Sequence, residues 1–211
     1  MAEFIVIEGL DGTGKTTQIG LLAKTLESRG KKTVTTAEPT DLPSGKLLRR
    51  VLSGEVPSSP WSTAALFLAD RIQHNCAEGG IGDSLKNGLT VISDRYYYST
   101  FAYQGSETDL KWTMDIHYSC PLVRRPDLVI FLTMGVDECL KRINANRPAD
   151  AIEIYENAEA LSRTKSLFEK VFDEIKEREN VVFVDASGSV EEVHERIIAA
   201  YDGAFSEKRD S

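Results

Sequence analysis

The stretch Gly9-Leu10-Asp11-Gly12-Thr13-Gly14-Lys15-Thr16 decides the fold class of this chain. It follows an apolar run at residues 4–7 that reads as a buried strand, and it opens a segment at 15–28 whose apolar spacing reads as an amphipathic helix. Gly9 and Gly14 let the backbone curl until successive N–H groups point inward, which makes a nest for phosphate oxygens. The N-terminal end of the following helix adds its partial positive charge. Lys15 is expected to reach the β- and γ-phosphates of a nucleotide, and the Thr16 hydroxyl to ligate Mg2+.

Outward from this loop, further runs rich in β-branched residues at 89–93, 128–132 and 181–184 read as buried parallel strands, with a weaker, more polar one at 33–36. Helical periodicity marks 44–52, 62–85, 136–144, 157–178 and 190–201. Strands alternating with helices imply right-handed crossovers and a three-layer α/β domain, a five-stranded parallel sheet with helices on both faces. Gly30 suits the C-terminal cap of the first helix. Residues 142–154, where Asn, Arg, Pro and Asp cluster, read as a short lid, and 206–211 as a polar tail; residues 1–205 are expected to form one domain.

A formal net charge of −8 argues against a nonspecific nucleic-acid or anionic-membrane binder. It leaves room for a small anionic substrate, provided that positive groups are concentrated locally. Cys76, Cys120 and Cys139 are too widely spaced for a metal knuckle or a redox pair, and are expected in or near the core. The N-terminus lacks the basic region of a signal peptide, and no run approaches the ~20 apolar residues that span a bilayer, so the expected location is cytoplasmic.

A phosphate loop alone does not separate a kinase from a GTPase or a motor ATPase. The chain has no Asn-Lys-x-Asp guanine-reading motif and no Asp-x-x-Gly after the third strand, which ends instead in Asp94-Arg95-Tyr96. An acid at that strand tip can position hydrated Mg2+ or a nucleophile. An arginine beside it repels a metal ion, but it suits a second anionic group docking alongside ATP.

Glu8-Gly9-Leu10-Asp11-Gly12-Thr13-Gly14-Lys15-Thr16-Thr17, then Glu38-Pro39, then Leu66-Phe67-Leu68-Ala69-Asp70-Arg71, then Asp94-Arg95-Tyr96 with Ser99-Thr100-Phe101-Ala102-Tyr103-Gln104-Gly105, resembles thymidylate kinase in order and spacing. Pro126-Asp127-Leu128 and Val184-Asp185-Ala186 fit the same pattern. The resemblance covers roughly residues 3–200 and implies a P-loop kinase that phosphorylates dTMP with ATP and Mg2+, as a homodimer.

Carried over residue by residue, the resemblance puts ATP on Gly9, Leu10, Asp11, Gly12, Thr13, Gly14, Lys15, Thr16 and Thr17, with Arg142 stacking on adenine and Ala186 beside it. Thr16 and Asp94 would hold the metal. For dTMP it implies that Phe67 stacks on the base and Arg71, four residues on along the same helical face, donates to a thymine carbonyl where a cytosine amino group would be rejected. Arg95 and Arg49 would clamp the monophosphate, the forked guanidinium suiting phosphate oxygens. Asp11 would contact the sugar 3′-hydroxyl, Glu38 would belong to the acceptor site, Thr100 and Gln104 would reach the base edge, and Tyr103 would pack on the deoxyribose. Lys15, Asp94, Arg95 and Arg147 would be the catalytic set. Gly12 has no side chain to supply transition-state charge, so the lid residue Arg147 takes that role, as in bacterial-type members.

The sequence departs from the family at Ala37, where many members carry Arg, and at Thr40-Asp41-Leu42, where they carry Gly-Gly-Thr. Its lid is poor in arginine, and Ile154-Tyr155-Glu156-Asn157 is similar to eukaryotic relatives. The alternatives are another nucleoside monophosphate or deoxynucleoside kinase of the same fold, and a non-catalytic nucleotide-binding switch. No role is sought for His74, His117 or His194, because an ionised phosphate acceptor needs no general base.

Overall fold

The computed structural model describes residues 2–146 and 158–206. Five strands, β1 (Phe4–Gly9), β2 (Thr33–Ala37), β3 (Thr90–Asp94), β4 (Leu128–Thr133) and β5 (Val181–Asp185), form one sheet in the order β2-β3-β1-β4-β5, with all four pairings parallel. β1 is central and buried along its whole length, as its unbroken Phe-Ile-Val-Ile run requires. The chain steps from β1 to one side of the sheet for β2 and β3, then to the other side for β4 and β5. The crevice at the carboxyl end of β1 is therefore the place where such sheets bind ligands.

Around the sheet lie α1 (Lys15–Ser28), α2 (Pro43–Leu52), α3 (Pro60–Cys76), α4 (Ile81–Lys86), α5 (Tyr97–Glu107), α6 (Leu110–Tyr118), α7 (Val136–Asn146), α8 (Ala158–Ile175) and α9 (Val190–Ser206). Helices α1 and α9 pack together, while α5 packs against α3, α6 and α8. Phe131 on β4 meets Phe168 and Phe172 of α8, and Phe172 stacks in turn on Tyr98 of α5, so aromatic side chains fill this side of the core. Helix α1 ends as expected: Gly30 adopts φ 82°, its N–H bonds the Glu27 carbonyl at 2.9 Å and the Lys31 N–H bonds that of Leu26 at 3.0 Å. This is the paired closure that only a left-handed residue allows without strain.

The structure differs from the expectations at five points. The helix read at 62–85 is two helices, α3 and α4, divided at residues 77–80. Gly79 there takes φ 69°, and a Cβ on Gly80 would lie 2.2 Å from the His74 carbonyl oxygen, so the chain turns where side chains do not fit. Helices α5 and α6 were not expected: α5 is buried on almost every side and so has no polar face to give it a period, whereas α6 is a short helix with one buried face at Thr113, Met114 and His117. Helix α7 runs through Asn146, so Arg142 sits on a helix and not in a loop, and residues 147–154 of the expected lid lie outside the described residues. Ser206 closes α9 and is not part of a tail. Of the cysteines, Cys139 is buried but Cys76 is exposed.

Candidate active site

Residues 9–16 leave β1 and enter α1 with Gly9, Gly12 and Gly14 all at positive φ (151°, 84° and 86°). Two of these glycines are also required by space. A Cβ on Gly9 would lie 2.8 Å from the Leu132 carbonyl oxygen, and one on Gly12 would lie 2.6 Å from that of Cys139 on α7. The loop is therefore clasped between β4 and α7. Lys15 folds back over it, donating from Nζ to the carbonyls of Gly9 at 3.1 Å and Leu10 at 3.0 Å, with the Asp11 carboxylate at 3.6 Å. Burial, reinforced by the nearby Arg95 guanidinium, pushes the Lys15 ammonium down to about 8 against the opposing pull of Asp11, Asp94 and Glu8.

Asp94, in register with Ile7 on β1, stands at the tip of β3 and accepts a hydrogen bond from the Thr16 hydroxyl at 3.2 Å. The next residue, Arg95, holds φ 66°, the one non-glycine residue at positive φ among the described residues. A bulky side chain held there signals a position fixed by its surroundings. Arg95 donates from Nη2 to Asp11 Oδ1 at 2.5 Å and from Nη1 to Ser99 Oγ at 3.0 Å. Burial works against its charge, but Asp11 foremost, and Glu8 and Asp94 with it, raise its pKa above the ordinary arginine value. Burial likewise works to raise Asp11, and Arg95 and Lys15 overcome it and hold the carboxyl below its ordinary range.

Glu8 explains how that turn is held, and motif reading alone did not give it a role. Its fully buried carboxylate accepts from the backbone N–H groups of Tyr96 at 2.9 Å and Ser99 at 3.1 Å and from the Ser99 hydroxyl at 2.9 Å. A strand side chain thus caps the first turn of α5 from below. Burial raises the Glu8 pKa, with Arg95 and these hydrogen bonds opposing.

Two cavities meet here. A cleft of about 740 Å³ is lined by residues 11–18, Arg49, Asp94, Arg95, Arg142 and Gly188-Ser189-Val190. A smaller pocket of about 270 Å³ is lined by Phe67, Arg71, Tyr96, Ser99, Tyr103 and Gln104. Asp11, Glu38, Pro39 and Arg95 line both. The structure thus gathers Thr13, Gly14, Lys15, Thr16, Thr17 and Arg142 on one side, and Phe67, Tyr103 and Gln104 on the other. Arg142 is held at the cleft by Glu138 at 2.8 Å and the Gly188 carbonyl at 3.2 Å. Ala186 is fully buried, with its N–H on the Thr133 carbonyl at 2.8 Å, and the cleft wall nearby is made by residues 188–190. Arg147 lies outside the described residues.

Around the smaller pocket, the local network differs from what spacing suggests. Thr100 is fully buried and its hydroxyl oxygen accepts from Arg71 Nη2 at 3.3 Å, so its influence runs through that guanidinium and not through direct contact with the pocket. Arg71, itself fully buried, donates from Nε and Nη2 to Glu38 Oε2 and lies 4.9 Å from the Tyr96 ring centroid. Glu38 Oε1 takes a third hydrogen bond from His74 Nδ1 at 2.9 Å. Asp70 accepts from the Thr40 N–H at 2.9 Å, the Thr40 hydroxyl at 2.6 Å and Ser44 at 2.7 Å. The divergent segment at 40–42 is thereby pinned to α3. Arg49 bonds the carbonyls of Thr40 at 2.6 Å and Pro39 at 2.7 Å and faces the larger cleft. His74 and His117 had no signal in the sequence, because their partners lie 36 and 46 residues away.

Comparison with known proteins agrees with this geometry. The family model described as thymidylate kinase matches residues 7–197. A Thermococcus onnurineus protein named "Probable thymidylate kinase" is 41% identical over 205 residues, covering 93% of this chain and 95% of the relative. A Mesoplasma florum protein named "Thymidylate kinase" is 35% identical over 201 residues, covering 91% of each.

Proposed function

The chain belongs to the thymidylate kinase family, and from that premise we propose that it transfers the γ-phosphoryl group of ATP to dTMP, giving ADP and dTDP. What carries the assignment is the position of Arg95. It lines both cavities, is tied to Asp11 of the phosphate loop, and brings positive charge to the place where donor and acceptor phosphates would meet. A switch protein would have no use for a second pocket opening onto that arginine. A nucleoside kinase would leave Arg95 without an acceptor phosphate.

In this reading the loop N–H groups and Lys15 hold the β- and γ-phosphates, and Arg142 covers the adenine. Phe67 stacks on the thymine, Tyr103 packs on the deoxyribose, Gln104 reaches the base edge, and Arg95, with Arg49, clamps the monophosphate. The acceptor oxygen is already ionised at neutral pH, so the residues position it in line and neutralise charge, and none removes a proton. Arg147 supplies positive charge to the moving phosphoryl group. Mg2+, when bound, neutralises the β- and γ-phosphate oxygens. Thr16 and Asp94 would hold it: both are hard oxygen donors, 3.2 Å apart at the cleft. Such an ion would keep most of its waters and bind largely through the substrate phosphates.

The protein would act as one domain that runs to the end of α9 at Ser206, as a homodimer, and in the cytoplasm. Among the described residues no helix is long and apolar enough to cross a membrane. A coupled assay of ADP formation across monophosphates tests the acceptor: turnover should be fast with dTMP and slow with CMP, UMP or AMP. Equal rates with UMP would defeat the thymidylate assignment while leaving the kinase intact.

A further inference from the structure

Arg71 has five N–H donors and the structure accounts for four of them. Nε and one Nη2 hydrogen go to Glu38, the second Nη2 hydrogen goes to Thr100, and one Nη1 hydrogen goes to His117 Nε2 at 2.6 Å. An arginine can only donate, so His117 Nε2 must present a lone pair. The opposite ring nitrogen, Nδ1, lies 2.8 Å from the Thr113 carbonyl, which can only accept, so Nδ1 carries the hydrogen. The tautomer of the ring is thereby fixed from both ends. Its surroundings agree with a neutral imidazole: it is fully buried, against the rings of Tyr97 and Phe101, and burial together with Arg71 pushes the His117 pKa down to about 3.

We propose that His117 is a positioning residue of the acceptor site. Glu38 holds Nε and Nη2 of Arg71, and the His117 Nε2 lone pair holds Nη1, the one nitrogen Glu38 leaves free, so that the remaining Nη1 hydrogen is kept for the base. An arginine offers only donors, so at its contact a ring carbonyl is favoured and an exocyclic amino group disfavoured. The discrimination between keto and amino pyrimidines therefore rests on a histidine on α6 that never touches the base. This inference rests on the acceptor being a keto pyrimidine monophosphate.

The test compares His117→Leu and His117→Gln with the unmodified enzyme, reading KM and kcat for dTMP and for dCMP, and KM for ATP. His117→Leu removes the acceptor from Arg71 Nη1 and leaves that nitrogen without its protein partner, so KM for dTMP should rise about tenfold or more, while kcat and KM for ATP change by less than about threefold, and the preference for dTMP over dCMP should narrow. His117→Gln offers an amide oxygen in place of Nε2 and should recover most of the loss. A folded His117→Leu enzyme with unchanged KM and preference would overturn the proposal, as would a Gln variant no better than Leu. If His117→Leu does not fold, ring nitrogen NMR of the unmodified enzyme decides. The His117 Nε2 resonance should move on saturation with dTMP and stay still with ADP; no response to dTMP would refute the coupling. Should the unmodified enzyme fail to turn over dTMP at all, the functional assignment fails first, and that outcome is distinct from these.

Discussion

Raising the pH from 7 to 9 should weaken ATP binding, and Lys15 sets the size of the effect. In the empty loop its ammonium is pushed down to about 8. About nine-tenths of molecules then carry the charge at pH 7, about half at pH 8 and about a tenth at pH 9. Bound phosphates stabilise the ammonium and return it to or above its ordinary value, so binding ATP above pH 8 requires that a proton be taken up. The apparent Kd for ATP should rise about tenfold between pH 7 and 9, equivalent to about 1.4 kcal/mol. Titration calorimetry in two buffers of different protonation enthalpy should give uptake of about 0.1 proton per ATP at pH 7, about 0.5 at pH 8 and about 0.9 at pH 9. Phosphate esters finish ionising near pH ~6, which keeps the ligand's own titration below this window. Stability of the empty protein should move the opposite way. The folded pKa lies below the value of 10.5 for a free lysine, so the unfolded chain binds more protons, and the empty protein gains stability as pH rises from 8 toward 10.5. A Lys15→Arg variant should lose the pH slope, since its charge does not titrate. A Kd flat within twofold from pH 7 to 9, with no proton uptake, would refute the reasoning.

Four further outcomes are expected. Gly12→Ala places a Cβ 2.6 Å from the Cys139 carbonyl at φ 84°; it should cost about 2 kcal/mol and lower Tm by about 4–8 °C in a melting experiment. Glu38→Ala leaves the buried Arg71 charge without its carboxylate and should cost about 3–5 kcal/mol in denaturant titration; a loss under about 1 kcal/mol would show that the guanidinium finds water or another partner. Arg147→Ala should lower kcat by at least about 100-fold while shifting the ATP Kd by less than about threefold, and an unchanged kcat would remove the lid assignment. Saturating dTMP alone should raise the melting midpoint, since a ligand at 100 times its Kd stabilises by about 2.7 kcal/mol; no shift without ATP would mean that the acceptor pocket does not bind on its own.

The phosphate loop was legible because its chemistry is local. Glycines at fixed offsets, a lysine and a hydroxyl residue must sit between a buried strand and a helix, and all of that lies within about 25 contiguous residues. Asp94 and Arg95 were legible for a related reason: parallel pairing of β3 with β1 brings one strand tip to the other. Helix α5 was not legible, since a helix buried at Tyr97, Tyr98, Ser99, Thr100, Phe101, Ala102, Gln104 and Gly105 has no polar face to give it a period. The break at 77–80 needed Gly79 and Gly80 to be read as a stop within an apolar pattern that continues on both sides. The network of Glu38, Arg71, His74 and His117 spans β2's exit, α3 and α6, and spacing along one chain does not encode contacts between separate elements.

The burial of α5 limits how the acceptor preference can be redesigned. Gln104 lines the smaller pocket and Thr100 lies behind it against Arg71, both on a helix that the core surrounds, so substitutions there should alter melting temperature together with what the pocket accepts. Phe67 and Tyr103 are only partly buried and have open pocket beside them. A library aimed at new base analogues should therefore start from position 67, extend to 103, and leave 100 and 104 alone. Variants at position 67 should keep more of the parent stability than variants at 103, whose ring packs edge-on against the buried Phe168.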